Sequence, residues 1–116
     1  MKVSEAIAKA DAMRPNAIDE IEKARWVMAL EGDMCETWEK PLPKEEDLYD
    51  PNYELIVPFP KDECYPLYLC AMIDNAQEET TLYANDMTVA NAAIAEAKAW
   101  YRRHNRIKHP IYIRGL

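Results

Sequence analysis

The positions of the prolines limit where helices can form in this chain. Pro15 pushes the residue before it out of the α region, which predicts that a first helix ends at Arg14. Five of the eight prolines lie between residues 41 and 60, a stretch that reads as a long solvated loop. Pro66 is tolerated only in the first turn of a helix, so the next helix is predicted to start between residues 62 and 66.

Apolar residues at helical spacing predict two helices before this loop. The first has Ser4 as its N-cap, and the second begins near Ala17 with Asn16 as its N-cap. Asp33 and Glu36 have the spacing of a capping box and could restart a helix after Gly32. We favour one continuous helix, in which a glycine costs about 1 kcal/mol relative to alanine.

Two further helices are predicted after the loop, with a break and a new cap at Asn85–Asp86. The last helix carries an apolar seam at alternating spacings of three and four residues, which suits antiparallel packing: Met87, Ala90, Ile94, Ala97 and Tyr101.

The predicted fold class is all-α, an antiparallel bundle of about four helices in a single domain over residues 1–116. Residues 40–62 form a long acidic, Pro-rich loop, and residues 105–116 form a C-terminal tail. We leave open whether residues 54–57 and 111–113 pair as a short two-stranded β ribbon.

Charge is distributed unevenly along the chain. The formal net charge of −7 argues against broad nucleic-acid binding, because contacts with phosphate need a basic surface. Residues 31–63 contain eleven acidic residues and three lysines, whereas residues 98–114 contain six cations and no acidic residue. The chain therefore has an acidic middle and a basic end.

The cysteines and the apolar runs predict an intracellular protein without a membrane segment. Cys35, Cys64 and Cys70 are odd in number and form no CxxC pair, so we expect reduced, partly buried thiols. No apolar run approaches the roughly 20 residues of a membrane span. The amphipathic first residues include acids and do not resemble a signal peptide.

No group of residues predicts an enzyme. His104 and His109 have no acid or cysteine within local reach, which argues against a metal site. Cys64 and Cys70 lie among tyrosines and leucines, which suggests packing rather than nucleophilic catalysis. The common phosphate-binding, zinc-protease and hydrolase motifs are not found. We therefore expect no catalytic residues, no cofactor and no metal.

Aromatic residues in two parts of the chain suggest an interface. Tyrosines around the loop are typical of interfaces, but they also serve as half-buried lids over a core. For the basic end three interpretations remain open: favourable charge at a helix C-terminus, contact with an acidic surface of another copy or a partner, and DNA binding. The candidate interface residues are Tyr49, Tyr53, Leu55, Ile56, Val57, Trp100, Arg102, Arg103, Arg106 and Lys108.

An ordered series of short motifs resembles a known family. The series is Arg14-Pro15-Asn16, Trp26, Glu54-Leu55-Ile56-Val57-Pro58-x-Pro60, Asp62-Glu63-x-Tyr65, Tyr68-Leu69-x-Ala71-Met72-Ile73-Asp74, Tyr83-x-Asn85-Asp86-Met87, Asn91-Ala92-Ala93, Trp100-Tyr101-Arg102-Arg103-His104 and Pro110. In this order it is similar to the small head–tail connector, or adaptor, proteins of long-tailed bacteriophages and prophages, over most of the chain. Relatives in that family often carry a glycine near position 77 and an aromatic residue near 90, where this chain has Gln77 and Ala90.

The resemblance implies a non-enzymatic structural protein at the neck of a virion, joining the portal to the tail and lining the DNA passage. Its implied partners are copies of itself in a ring, the portal protein, and tail or neck proteins, with transient non-specific proximity to phage DNA and no membrane. The implied location is the bacterial host cytoplasm during assembly and then the virion. An alternative from a different class is a small helical DNA- or regulator-binding protein that uses the basic C-terminal segment.

Overall fold

The computed structural model describes residues 1–105, and this part of the chain is all-α, as predicted. It contains four α-helices: α1 (Val3–Met13), α2 (Glu20–Thr37), α3 (Cys64–Ala76) and α4 (Thr80–Asn105). Two short 3-10 helices at Glu45–Tyr49 and Lys61–Glu63 lie in the long loop. Within the described residues there is no strand, only an isolated antiparallel bridge between Lys2 and Glu54. The other half of the β ribbon that was left open, residues 111–113, lies outside the described residues, as do Arg106, Lys108 and His109.

The first two helices begin at different caps from those predicted. At the start of α1, the Glu5 carboxylate accepts a hydrogen bond from the Lys2 backbone N–H at 2.7 Å, and Ser4 lies inside the helix. Asn16 accepts from the Ile18 N–H at 3.0 Å in the linker and does not start the next helix. Instead Asp19 is the N-cap of α2, so this helix begins at Glu20 and not near Ala17. Asn16 is satisfied by a local turn, which is why its capping signal was misleading.

Helix α2 runs without a break through Gly32 and Asp33, as predicted. A Cβ atom at Gly32 would meet no heavy atom within 4 Å. The glycine is therefore not required by close packing.

The end of α2 and the end of α3 share one motif, in which a glutamate takes the left-handed position that glycine usually occupies. Glu39 has a φ of 55°, and the next N–H, that of Lys40, donates to the Cys35 carbonyl at 2.8 Å. Glu78 has a φ of 59°, and the Glu79 N–H donates to the Asp74 carbonyl at 2.9 Å. Both helices therefore end without the glycine that would mark the position in the sequence.

The predicted break at Asn85–Asp86 is wrong. Helix α3 ends at Ala76, and α4 passes through Asn85 and Asp86 without interruption. Asp86 pairs with Arg14 and does not cap a helix. The turn lies at Glu78, where the left-handed backbone was not signalled by a glycine. The predicted start of α3 between residues 62 and 66 is confirmed, with Pro66 in its first turn.

The core surrounds α3, which packs against each of the other three α-helices. Its buried side chains include Tyr65, Leu69 and Ile73. Helix α4 packs on α3, and Ala90 and Ala97 of its apolar seam are fully buried. The molecule is elongated, with principal dimensions of 57 × 33 × 19 Å. Across residues 1–105, no helix combines the length and the apolar character needed to cross a membrane.

Candidate functional site

Glu31 lies fully buried in α2 and holds the long loop against the helices. Its carboxylate accepts hydrogen bonds from the Tyr65 hydroxyl at 2.6 Å, the Tyr53 hydroxyl at 2.9 Å and the Ile56 N–H at 3.0 Å. A buried carboxylate is costly unless donors surround it, so these contacts fix the end of the loop relative to α2 and α3. Burial and the neighbouring negative charge raise the pKa of Tyr53 and Tyr65, which keeps both phenols protonated as donors.

Backbone hydrogen bonds fix the same loop to the start of α1. The Val3 N–H donates to the Tyr53 carbonyl at 3.1 Å, and the Leu55 N–H donates to the Met1 carbonyl at 2.9 Å. The Val57 N–H donates to the Tyr65 hydroxyl at 3.1 Å. Consecutive amides from Leu55 to Val57 therefore all have partners within the chain.

This arrangement leaves an apolar groove of about 340 Å³ between α1, α2 and the 3-10 helix at Glu45–Tyr49. Its apolar lining consists of Val3, Ile7, Ile21, Ala24, Leu48 and Pro51. Polar groups from Glu20, Tyr49 and Asp50 complete the lining. A second groove of about 370 Å³ lies on the other side of Leu48, beside Met28, Gly32 and Leu42.

The first groove combines a buried floor with exposed apolar walls. Val3 and Ile7 are almost completely buried, whereas Ile21 is 52% exposed and Tyr49 is 57% exposed. The Tyr49 hydroxyl accepts a hydrogen bond from Arg25 at 3.4 Å. Contiguous exposed apolar surface, unlike scattered single residues, is typical of a contact site. We call this surface the α1–α2 groove.

The candidate interface residues of the loop differ in their exposure. Tyr49 lies at the edge of the α1–α2 groove, and Tyr53 is half-buried and bonded to Glu31. Leu55 and Val57 are buried in the core. These two side chains are therefore core residues of this chain and not part of a free surface. Residues 54–57, considered above as one half of a β ribbon, are not a strand, and the amides of Leu55 and Val57 bond to Met1 and Tyr65.

The aromatic residues of the basic end form a cluster with Trp38. The Tyr101 ring stacks on Trp38 with centroids 4.4 Å apart, and its hydroxyl donates to the Trp38 carbonyl at 3.1 Å. Trp100 is half-buried between Trp38 and His104. Arg102 is exposed, and Arg103 donates to Glu96 at 2.9 Å. The candidate residues Arg106 and Lys108 lie beyond the described part of the chain.

Arg14 joins three helices through two carboxylates. Its Nε lies 3.0 Å from Asp86 Oδ2 and 3.3 Å from Asp74 Oδ1. Asp74 is almost completely buried, and neither of its carboxylate oxygens has a hydrogen-bond partner of good geometry. Burial, followed by the adjacent carboxyl of Asp86, raises the pKa of Asp74 to about 6. Each of these residues stands in a motif of the sequence, but their contact was not predicted.

Sequence reasoning missed Glu31 and misplaced Ile21. Glu31 was counted only as one of the eleven acidic residues of 31–63. It lies among the apolar residues Leu30, Met34 and Cys35 of α2, and this position could have identified it as buried. The helical spacing of Ile21 from the buried residues Met28 and Cys35 would place it on the inward face of that helix. It points outward because no element of the described chain covers the first turn of α2 at that side.

The cysteines do not form a reactive site. All three are free and buried, and burial raises the pKa of Cys35 and Cys70 to about 11 and that of Cys64 to about 12. Among residues 1–105, no group of three or more suitable side chains could hold a metal ion. Comparisons with protein-family models, curated proteins and solved structures found no match to this chain.

Proposed function

We propose that this chain is a head–tail connector, or adaptor, subunit of a long-tailed bacteriophage or prophage. In this role it joins the portal to the tail at the virion neck and lines the DNA passage, after assembling in the host cytoplasm. The observation that carries the proposal is the ordered series of motifs from Arg14-Pro15-Asn16 to Trp100-Tyr101-Arg102-Arg103-His104. The role is structural, and we assign no catalytic residue, cofactor or metal to it.

Contacts between distant motifs support this proposal. Arg14 of the first motif contacts Asp74 and Asp86 of two later motifs. Tyr65 and Ile56, from two others, meet at Glu31. Motif residues that join separate elements are expected when a motif series specifies a fold and not a catalytic site.

The glycine that relatives often carry near position 77, where this chain has Gln77, can be explained by the backbone at the end of α3. Connector proteins of this type often have a glycine near that position, and this chain has a left-handed residue at Glu78. A glycine is the favoured residue at such a helix end. The turn between α3 and α4 is therefore one that the family's glycine would suit.

The shape and the surface support assembly with other subunits. An elongated molecule of 57 × 33 × 19 Å exposes Ile21, Tyr49 and Phe59, which is 84% exposed. Large exposed apolar side chains are typical of surfaces that are covered in an assembly. The acidic balance suits a DNA passage, because it repels phosphate and lets DNA move without binding.

We also propose the antiparallel arrangement of the helices that the sequence predicts, but not the β ribbon that it left open. Three residues connect α3 and α4, and such short connections usually join antiparallel neighbours in a bundle. A β ribbon with residues 111–113 would have to use the carbonyl groups of residues 54–57. The N–H groups from Leu55 to Val57 already donate to Met1, Glu31 and Tyr65.

The test is assembly on a portal. The full chain is mixed with the portal protein encoded nearest to it in the same genome, and the mixture is examined by sedimentation and electron microscopy. We expect a stoichiometric complex with a ring of this chain on the portal, and no complex with the portal of an unrelated phage. A genome neighbourhood without portal, capsid or tail genes would contradict the proposal. So would a salt-sensitive shift of a DNA duplex without portal binding, which would favour the DNA-binding alternative.

A further inference from the structure

We propose that the α1–α2 groove of one chain binds residues 106–116 of a second copy. The inference rests on the proposed function for its setting, a ring of identical subunits. The contact itself requires no portal protein, and its test uses none, so failure of one does not imply failure of the other.

The chemistry of the segment complements that of the groove. Residues 106–116 read RIKHPIYIRGL, in which Ile107, Ile111 and Ile113 stand among three cations and no acidic residue. The groove offers apolar walls from Ile21 and Tyr49 over a buried floor, with carboxylates of Glu20 and Asp50 beside them. An apolar, basic peptide therefore fits this groove in both hydrophobicity and charge.

The direction of α4 favours a second copy over the same chain. Lys98 pairs with Asp33 at 3.0 Å, and Tyr101 contacts Trp38, so later residues of α4 lie beside later residues of α2. The chain thus leaves α4 at the end of α2 that is opposite the groove. At 1.5 Å per residue, Ala24 and Trp38 are about 21 Å apart along α2. To reach its own groove the segment would have to reverse and cross this distance.

The contact is of the head-to-tail kind. Each chain would supply one segment and one groove, so every groove in a closed ring would be occupied. This places Ile21 and Tyr49, which are exposed in the single chain, inside an interface between subunits.

The first experiment measures binding of a fluorescent peptide, residues 105–116, to the full chain by anisotropy. We expect Ile21→Ser to weaken binding about tenfold, because its apolar area is no longer buried against the peptide, and Tyr49→Ala to weaken it similarly. Val89→Ser is the matched control, because Val89 is 50% exposed on α4 and does not line the groove. Circular dichroism checks that each variant is folded. Equal affinity for Ile21→Ser and Val89→Ser would overturn the proposal.

The second experiment tests the charges and the second copy. A peptide with Arg106→Glu and Lys108→Glu should bind more weakly than the natural peptide, and Glu20→Lys in the chain should restore part of the loss. For the full chain, a photoreactive phenylalanine replaces Tyr112 in a mixture of isotope-labelled and unlabelled chains. Mixed-isotope cross-links to the groove are expected. Cross-links found only within single chains would overturn the second-copy assignment.

Discussion

Glu31 illustrates how one buried residue can position a loop of more than twenty residues. Its carboxylate bonds to Tyr53 and Ile56 of the loop and to Tyr65 of α3. Because the loop contains little regular structure of its own, these contacts hold its end in place. The α1–α2 groove depends on them, since one of its walls is the preceding part of the same loop.

We predict that Glu31→Gln lowers the free energy of unfolding by about 3 kcal/mol. The glutamine side chain would have one acceptor oxygen for the three donors that now bond to Glu31. Its NH₂ group needs an acceptor but would face a donor. Urea unfolding followed by circular dichroism measures the change. Glu36→Gln, at an exposed position of the same helix, should be nearly neutral. Equal stability of the two variants would show that Glu31 does not hold the loop.

The contribution of Asp74 to stability should fall as the pH rises. A salt-bridged surface acid has the opposite effect, because its pKa is lowered in the folded protein. The pKa of Asp74 rises from an ordinary value of 3.8 to about 6 in the folded protein. Between these values the folded state binds more protons than the unfolded state. The stability that this group contributes is therefore greatest below about pH 4 and is lost as the pH rises through 6.

We predict that the stability difference between the wild type and Asp74→Asn falls by about 2 kcal/mol between pH 4 and pH 6.5. Urea unfolding at several pH values measures this difference. Glu22→Gln, at an exposed position on α2, serves as the control and should show no such trend. A difference that stays constant or rises with pH would mean that Asp74 keeps its charge in the folded state.

Among the helices, the ends of α2 and α3 are more strained than their interiors. Glu39 and Glu78 both have left-handed backbones, a conformation that is unfavourable for residues with a Cβ atom. The two turns have the same hydrogen-bond pattern. They should therefore respond to substitution in the same way.

We predict that Glu39→Gly and Glu78→Gly each raise the free energy of unfolding by about 1 kcal/mol. Ala29→Gly, at an exposed position inside α2, should lower it by about as much, because glycine is unfavourable within a helix. Thermal unfolding measures all three variants. If the three glycines changed the stability in the same direction, the left-handed turns would not be the reason.

In the whole molecule, the three buried thiols should report how the core opens. Cys35 lies on α2, and Cys64 and Cys70 lie on α3, all inside the packed region. Burial is the main reason for the raised pKa of each thiol, so little reactive thiolate forms at neutral pH.

We predict that an alkylating reagent modifies none of these thiols within minutes in the folded protein and all three after unfolding in urea. Mass spectrometry of the labelled peptides measures this. Tyr49→Cys places an exposed thiol at the groove and should react at once. Rapid modification of Cys64 in the folded protein would show that α3 opens locally and does not form a stable centre.

Much of the fold could be predicted because its signals are local. Pro15 and Pro66 act on their own backbone and neighbours, so they located the end of α1 and the start of α3. The spacing from Met87 to Tyr101 identified the buried seam of α4 for the same reason. The boundary between α3 and α4 could not be found in this way, since Glu78 adopts a backbone that its side chain does not favour.

The candidate site was much less predictable than the fold. Tyr49, a predicted interface residue, is exposed and lines the groove, but Leu55 and Val57 are buried, and the other residues of the groove were not predicted. A groove is formed by elements that are distant in sequence, and no local pattern records which side of α2 stays uncovered.

The sequence by itself determined the helical class, the long proline-rich loop and the alanine seam, because steric limits and helical spacing act within a few residues. Only the tertiary structure decided that Glu31 is buried, that Arg14 meets Asp74 and Asp86, and that Ile21 faces outward. The physical reason is that burial and ion pairing depend on which surfaces meet. The packing of the four helices against one another decides which surfaces meet.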